Sequence, residues 1–265
     1  LYKKLVMLLA IDVGNSNVTI GVWEGERWKQ VWRLPTLSDS DEESLLFYNV
    51  KISDLLLEYR VSPDTVHQIV ISTVVPGLKE VFVSLTEQFF GRMPIVLGPE
   101  IYAALPLQVV NPNELGSDLY ANALAAYHRY KKGVIVTDFG TALTFTVVNS
   151  EGALTGVTIA PGIKTAITSL FQKTAQLPEV PLEMPRSVLG KDTVHAIQSG
   201  VLNGYVGMVR HMIGSLREEV GSPYVAVATG GLSHVLKPLH SAFHEIDANL
   251  TLDGLRLVAE EYRAF

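Results

Sequence analysis

A strand–turn–strand unit that occurs twice, roughly half a chain apart, constrains this sequence more than any other feature. The first copy is MLLAIDVGNSNVTIGVWEGERW, residues 7–28. Its apolar run stops at Asp12, a Gly-Asn-Ser-Asn turn follows, and a second apolar run leads into Glu24-Gly25-Glu26. The second copy is GVIVTDFGTALTFTVVNSEGALTG, residues 133–156, where a β-rich run ends on Asp138, turns through Gly140 and Thr141, and continues as a strand to a polar turn at 149–152. Each reads as two strands joined by a tight polar turn. One such turn is ordinary, because Asn and Gly tolerate positive φ and Asp commonly starts a turn. A hairpin does not need a copy of itself, whereas a duplicated fold with a nucleotide between its halves does. A loop this small can point several backbone N–H groups and hydroxyls at one spot, which makes a cradle for phosphate oxygens. A carboxylate beside it suits a hydrated Mg2+ that neutralises those oxygens.

The order of elements repeats as well. After the first hairpin comes a third strand at 31–34. A helix follows whose apolar residues Leu45, Leu46, Tyr48, Ile52, Leu55, Leu56 and Tyr59 recur near the helical period, with the polar stretch SDSDEE as its cap. A buried strand at 68–76, a helix ending at Gly91 and a short strand in PIVLGP complete the first half. The second half has three strands within 134–148 and 156–159, helices at 163–174 and 193–219, a strand–glycine turn–helix at 224–239 and a closing helix at 253–262. The helical stretch 119–130 bridges the halves. Mixed α/β architecture follows, as one domain duplicated rather than a solenoid.

Composition narrows the functions. The chain has 265 residues and 48% hydrophobic content, enough for a sizeable core, and 18% charged residues, low enough to suggest apolar surface buried against a partner subunit. A net charge of −6 without a long basic run argues against nucleic acid as the main ligand. With no cysteine, disulfides, thiolate chemistry and cysteine metal sites are excluded, and a reducing cytoplasm is compatible. No apolar stretch reaches membrane-spanning length. The seven histidines show no metal-ligand spacing, and His128, His195 and His211 read as packing or surface groups on helices. The opening LYKKLV resembles residual vector sequence, with Met7 as the natural start.

An Asp-x-Gly phosphate turn opening each half, with the Gly230-Gly231 turn near the end, resembles the acetate kinase, sugar kinase, Hsp70 and actin superfamily. Within it the chain looks like a type III pantothenate kinase. The stretches DVGNSN, ISTVVP, NPNELGSD, DFGTALTF, IAPGI, GKDTVHAIQSG, ATGGL and LTLDGL carry the likeness through their order and spacing. The resemblance implies an α/β fold of two ribonuclease-H-like (actin-like ATPase) halves, 7–128 and 129–265, around an ATP cleft. It implies phosphorylation of pantothenate by ATP, the first committed step towards coenzyme A. Mg2+, a monovalent cation (K+ or NH4+), a homodimer and a cytoplasmic location come with it.

By the same resemblance, residues take roles. Asp12 suits the water shell of Mg2+, and the run Asp12, Val13, Gly14, Asn15, Ser16, Asn17, Val18, Thr19 suits the ATP phosphates, with Thr141 as a second phosphate contact. Asp138 matches the monovalent-cation ligand. Gly230 and Gly231 allow close backbone approach to adenosine. Asp118 is the general base, since a carboxylate can accept the hydroxyl proton of pantothenate as attack proceeds. Gly116, Ser117, Asp118 and Thr193 match acceptor-binding positions. Two further acceptor positions depart from the family pattern. Leu119 stands where an arginine usually follows Gly-Ser-Asp, and Val109 stands where a tyrosine is usual. Leucine cannot replace a bidentate guanidinium. Three readings therefore stay open: a pantothenate kinase that recognises its acceptor differently, a kinase for another small alcohol, and a non-catalytic nucleotide-binding relative acting as an accessory factor.

Overall fold

The computed structural model describes residues 7–37, 42–172, 178, 180–221 and 223–262. The leading residues 1–6, read as vector sequence, lie outside these, as do most of the polar cap before the first helix and the expected end of the 163–174 helix. The chain divides into two compact units. One comprises residues up to Ala125 together with those from Thr251 onward; the other is Ala126–Leu250.

In the first unit, β1 (Met7–Val13), β2 (Asn17–Glu24) and β3 (Arg27–Pro35) form an antiparallel meander. Nearly every residue of β1 is buried, as a continuous apolar run requires of a strand covered on both faces. Helix α1 (Glu42–Glu58) then crosses to β4 (Val66–Thr73), which runs parallel to β1, and α2 (Pro76–Phe90) crosses to β5 (Ile95–Val96). The sheet order is β3-β2-β1-β4-β5. Tyr48, Ile52 and Leu56 of α1 join Leu78, Phe82 and Leu85 of α2 against Leu9, Ile11 and Ile20 in one core. Helix α2 begins at Pro76, which needs no donor at that position, and ends as expected at Gly91, in the left-handed region with φ 60°. The short α3 (Pro99–Tyr102) and β6 (Gln108–Val109) lead to α4 (Ser117–Tyr130).

The second unit repeats the plan. An antiparallel meander of β7 (Val134–Phe139), β8 (Ala142–Val148) and β9 (Ala153–Pro161) is followed by α5 (Ile163–Gln172), α6 (Thr193–Gln198) and α7 (Gly204–Val220). Strand β10 (Val225–Thr229) lies parallel to β7, with β11 (Glu245–Ile246) beside it. Within this unit the order is β9-β8-β7-β10-β11. Both sheets thus share one order and one set of strand senses, which is the duplication read from the two turns.

Three details differ from the sequence reading. The helix expected over 193–219 is broken by a π turn at Ser199–Asn203. The helix expected after Gly230-Gly231 is a series of turns followed by a 3-10 segment at Lys237–Ala242. Its amides bond three residues back, Ser233 to Gly230 at 3.2 Å and Val235 to Leu232 at 3.0 Å, and Pro238 has no amide to offer. The closing helix, α8 (Leu250–Glu261), groups with the first unit from Thr251 onward. Trp28 donates its indole N–H to Asp253 at 2.8 Å, and Thr251 its hydroxyl to Asn122 at 2.8 Å.

Gly254 sets how closely α8 and α4 approach, because a Cβ built there falls 2.0 Å from the carbonyl oxygen of Ala121. Gly254→Ala is expected to destabilise the chain by about 1–3 kcal/mol through overpacking. Each kcal/mol lowers Tm by roughly 2–4 °C in a domain of about this size. Gly207→Ala, on α7 where a Cβ meets nothing within 4 Å, is the matched control and should be neutral or stabilising. Thermal unfolding followed by circular dichroism checks both. Equal melting for the two variants would refute the close-packing argument.

Candidate active site

Asp12 is the penultimate residue of β1, so the strand carries its carboxylate to the end of the sheet. It lies opposite Thr19 on β2 and Ser72 on β4. Paired residues share a sheet face, so a carboxylate and two hydroxyls gather at the strand ends. Asp138 repeats this in the second unit, opposite Thr144 on β8 and Thr229 on β10. Ser72 and Thr229 are buried, at 0% and 1% exposure, in keeping with supporting positions.

The turn after Asp12 is exposed at Asn15, Ser16 and Asn17, while the side chains of Val13 and Val18 are buried in the core. Only the backbone of those two valines can meet a ligand. The amide of Gly14 donates to the carbonyl of Asn17 at 3.0 Å, and Thr36 holds the loop from behind, its hydroxyl on the Gly14 carbonyl at 2.6 Å and its amide on the Ser16 carbonyl at 3.1 Å. In the second unit the amide of Gly140 likewise donates to the carbonyl of Ala142 at 3.1 Å, and exposed Thr141 occupies the turn.

Gly230 lies in the left-handed region, φ 91°, and a Cβ there would fall 2.4 Å from Asp138 Oδ1 and 2.6 Å from the Phe139 amide nitrogen. Backbone conformation and space both demand glycine. The strand end at Asp138 and the Gly230-Gly231 turn are therefore in contact. Thr193 is exposed as the first residue of α6, whose cap is Asp192, accepting from the His195 amide at 2.8 Å.

Asp118 is the second residue of α4, so the helix begins earlier than the 119–130 reading. Ser117 anchors this turn. Its hydroxyl lies 2.9 Å from that of Ser72 and accepts from the Thr73 amide at 3.1 Å. Gly116 makes room for the carboxylate, since a Cβ there would sit 2.6 Å from Asp118 Oδ1. The turn bearing Asp118 is thereby tied to the end of β4, and β4 is paired with the strand that bears Asp12. Burial pushes the Asp118 carboxyl above the usual carboxylate range, partly offset by the Leu119 amide donating to Oδ1 at 2.8 Å. Leu119 and Val109 are half-buried. Tyr102 and Tyr120 stack with centroids 4.3 Å apart behind the turn. They are bonded to the Leu115 carbonyl and the Leu107 amide, so neither substitutes for the tyrosine missing at Val109.

Among the described residues no three His, Asp or Glu side chains gather as a metal cage. A single carboxylate beside an exposed polar loop suits Mg2+ better than an ion that needs a full protein cage, since Mg2+ keeps several waters. Sequence reasoning missed Thr36 and Ser72 in the first unit, and Gly162 and Thr165 in the second, as residues that brace these turns. The signal for two of them was present, since both third strands end on proline, Pro35 and Pro161, directly before the residues that meet the loops.

A family model described as type III pantothenate kinase matches residues 8–215. A type III pantothenate kinase of Myxococcus xanthus (strain DK1622) is 40% identical over 254 residues, covering 95% of this chain and 97% of that one. One of Syntrophus aciditrophicus (strain SB) is 39% identical over 254 residues, covering 95% and 98%. Among solved structures, a Campylobacter jejuni protein described as a Baf family transcriptional activator superposes with TM-score 0.58 at 18% identity, covering 96% of this chain and 98% of that one. MreB 5 of Spiroplasma citri bound to AMPPNP superposes with TM-score 0.55 at 9% identity, covering 96% of each. At such identities the likeness is one of fold alone.

Proposed function

The chain belongs to the type III pantothenate kinase family, and we propose that it transfers the γ-phosphoryl group of ATP to the primary hydroxyl of pantothenate, giving 4'-phosphopantothenate and ADP. Its fold is the duplicated α/β architecture of the actin-like ATPases. The observation that carries the proposal is the hydroxyl pair Ser72–Ser117, 2.9 Å apart, which links the turn bearing Asp118 to the strand beside Asp12. A base and a phosphate-side carboxylate are thereby held on one scaffold.

Phosphoryl transfer depends mostly on positioning and charge neutralisation. The amides and hydroxyls of residues 14–19 are the phosphate contacts of the first unit, and Thr141 is that of the second. Asp12 would hold Mg2+ through its waters, and the ion would supply neutralisation of phosphate charge. Asp118 accepts the proton of the pantothenate hydroxyl as its oxygen bonds to the γ-phosphorus and the bond to ADP breaks. A carboxyl raised by burial suits this task better than an ordinary one, since a stronger base takes the proton more readily. In the first unit Gly116, Val109 and Leu119 are acceptor positions, with Ser117 bracing the turn that bears Asp118; in the second, Thr193 is an acceptor position and Gly230 with Gly231 an adenosine position. No helix among the described residues is long and apolar enough to cross a membrane. A cytoplasmic enzyme supplied with ATP is the consistent setting. Ile159, Val188 and Leu189 of the second unit, 66%, 76% and 79% exposed, favour a homodimer that covers them.

The deciding experiment supplies purified protein with ATP, Mg2+ and K+, with and without pantothenate, and follows phosphopantothenate by mass. Product confirms the acceptor. Nucleotide binding without product would favour another alcohol or a non-catalytic role. Asp138 sits against the Gly230 backbone and fits a monovalent cation beside the phosphates. Replacing Na+ by K+ or NH4+ at constant ionic strength is therefore expected to raise the rate, and Asp138→Ala to lose that response. Equal rates in all three salts would remove the cation site.

A further inference from the structure

Behind each of the two turns a comparable pair of contacts is built, an amide and a threonine hydroxyl on loop carbonyls. In the first unit β3 ends at Pro35, and the next residue, Thr36, donates its amide to the Ser16 carbonyl at 3.1 Å and its hydroxyl to the Gly14 carbonyl at 2.6 Å. In the second unit β9 ends at Pro161. The next residue, Gly162, donates its amide to the Thr141 carbonyl at 2.9 Å, and the hydroxyl of Thr165 reaches the same carbonyl at 2.7 Å. The second contact is close enough to forbid any side chain at residue 162, where a Cβ would fall 2.3 Å from the Gly140 carbonyl.

A loop that cradles phosphate must present N–H groups and turn its carbonyl dipoles elsewhere, because a carbonyl oxygen facing an anion repels it. Nothing in an isolated hairpin tip enforces that orientation. Here a threonine hydroxyl and a backbone amide bind the carbonyls of both turns from the segment that follows the third strand. We propose that Thr36 and Thr165 are positioning residues for ATP, one for each half, which hold the loop carbonyls averted so that the opposite face of each loop meets the phosphates. This rests on the nucleotide role of the two turns argued above. Neither threonine needs to touch the nucleotide; Thr36 directly follows β3, and Thr165 lies in the first turn of α5, just after β9.

Calorimetric titration with the Mg2+ complex of a non-hydrolysable ATP analogue tests the proposal without turnover. Thr36→Val and Thr165→Val are each expected to weaken binding by about two- to tenfold, the loss of one neutral hydrogen bond. Thr36→Ser and Thr165→Ser should restore it, because serine keeps the donor. Alanine serves at either position where valine does not fold. Melting temperatures of the same variants separate a structural role from a positioning one. Unchanged affinity in folded valine or alanine variants, with wild-type binding measurable, would overturn the proposal, whatever happens to Tm. A wild-type chain that does not bind the analogue would instead overturn the nucleotide role of the turns, and this proposal with it.

Discussion

Asp118→Asn is expected to lower the rate of phosphopantothenate formation by roughly 10²–10⁴-fold, the range for removal of a positioned general base, while binding of the ATP analogue survives. Asparagine keeps the size of the side chain and an oxygen for the Leu119 amide, which now donates to Oδ1 at 2.8 Å. It loses the basicity. Burial holds the Asp118 pKa above its ordinary value, and this has two consequences of opposite sign. The rate should fall with decreasing pH through that raised pKa, so the acid limb lies above the ordinary carboxylate range, and the residual rate of Asp118→Asn should lack it. Stability goes the other way. A carboxyl whose pKa is higher in the folded than in the unfolded chain favours folding below the unfolded value and loses that advantage as pH rises through the folded value. At pH 8 the wild type bears the cost of a buried charge and the asparagine variant does not. Asp118→Asn should therefore melt at or above the wild-type temperature there, and the difference should shrink in acid. A folded variant that turns over at the wild-type rate would remove Asp118 from the base role.

What was legible in the sequence is whatever local chemistry decides. An apolar run that stops on Asp12 and meets Gly14 can only leave the sheet, and the same grammar at Asp138 marks the second sheet. The period of α1 and the Gly91 stop of α2 are also local. The break between α6 and α7 was not legible, because a π turn at Ser199–Asn203 interrupts the hydrogen-bond ladder without interrupting the apolar character of the run. Nor was the place of α8, which Gly254, Trp28 and Thr251 decide through contacts more than a hundred residues apart in the chain.

The site divides along the same line. Asp12, Asp138 and the glycines advertise themselves by residue type. Thr36 and Ser72 do not, because a threonine after a strand and a serine inside one are ordinary until register puts them beside something. Ser117 is instructive. Resemblance offers it as an acceptor contact, and the structure gives its hydroxyl to Ser72 and the Thr73 backbone. That geometry explains why a small hydroxyl residue stands between Gly116 and Asp118 without asking it to touch a ligand.

Leu119→Arg is expected to lower the pantothenate KM by roughly ten- to a hundredfold with little change in that for ATP. The acceptor carries a carboxylate, and a guanidinium paired with it in a partly dry site contributes about 1.5–3 kcal/mol through charge-assisted hydrogen bonds, which is about one to two powers of ten in affinity. Leu119 is half-buried in the first turn of α4, next to Asp118. Its backbone is already helical and its amide already engaged by Asp118, so the side chain can change without moving the turn. A cation at a helix N-terminus opposes the helix dipole by about 0.3–1 kcal/mol, which is smaller than the gain and vanishes from the balance once a carboxylate is bound. The variant should therefore be slightly less stable without ligand and more strongly stabilised by pantothenate than wild type, a difference that thermal unfolding reads directly. A wild-type chain that already binds pantothenate tightly, with Leu119→Arg no better, would mean that another cation holds the carboxylate. If neither form makes phosphopantothenate although both bind the ATP analogue, the phosphate loops serve a different acceptor or none. A screen of small alcohols then separates the two, since a kinase for another alcohol yields ADP with one of them and a non-catalytic relative with none.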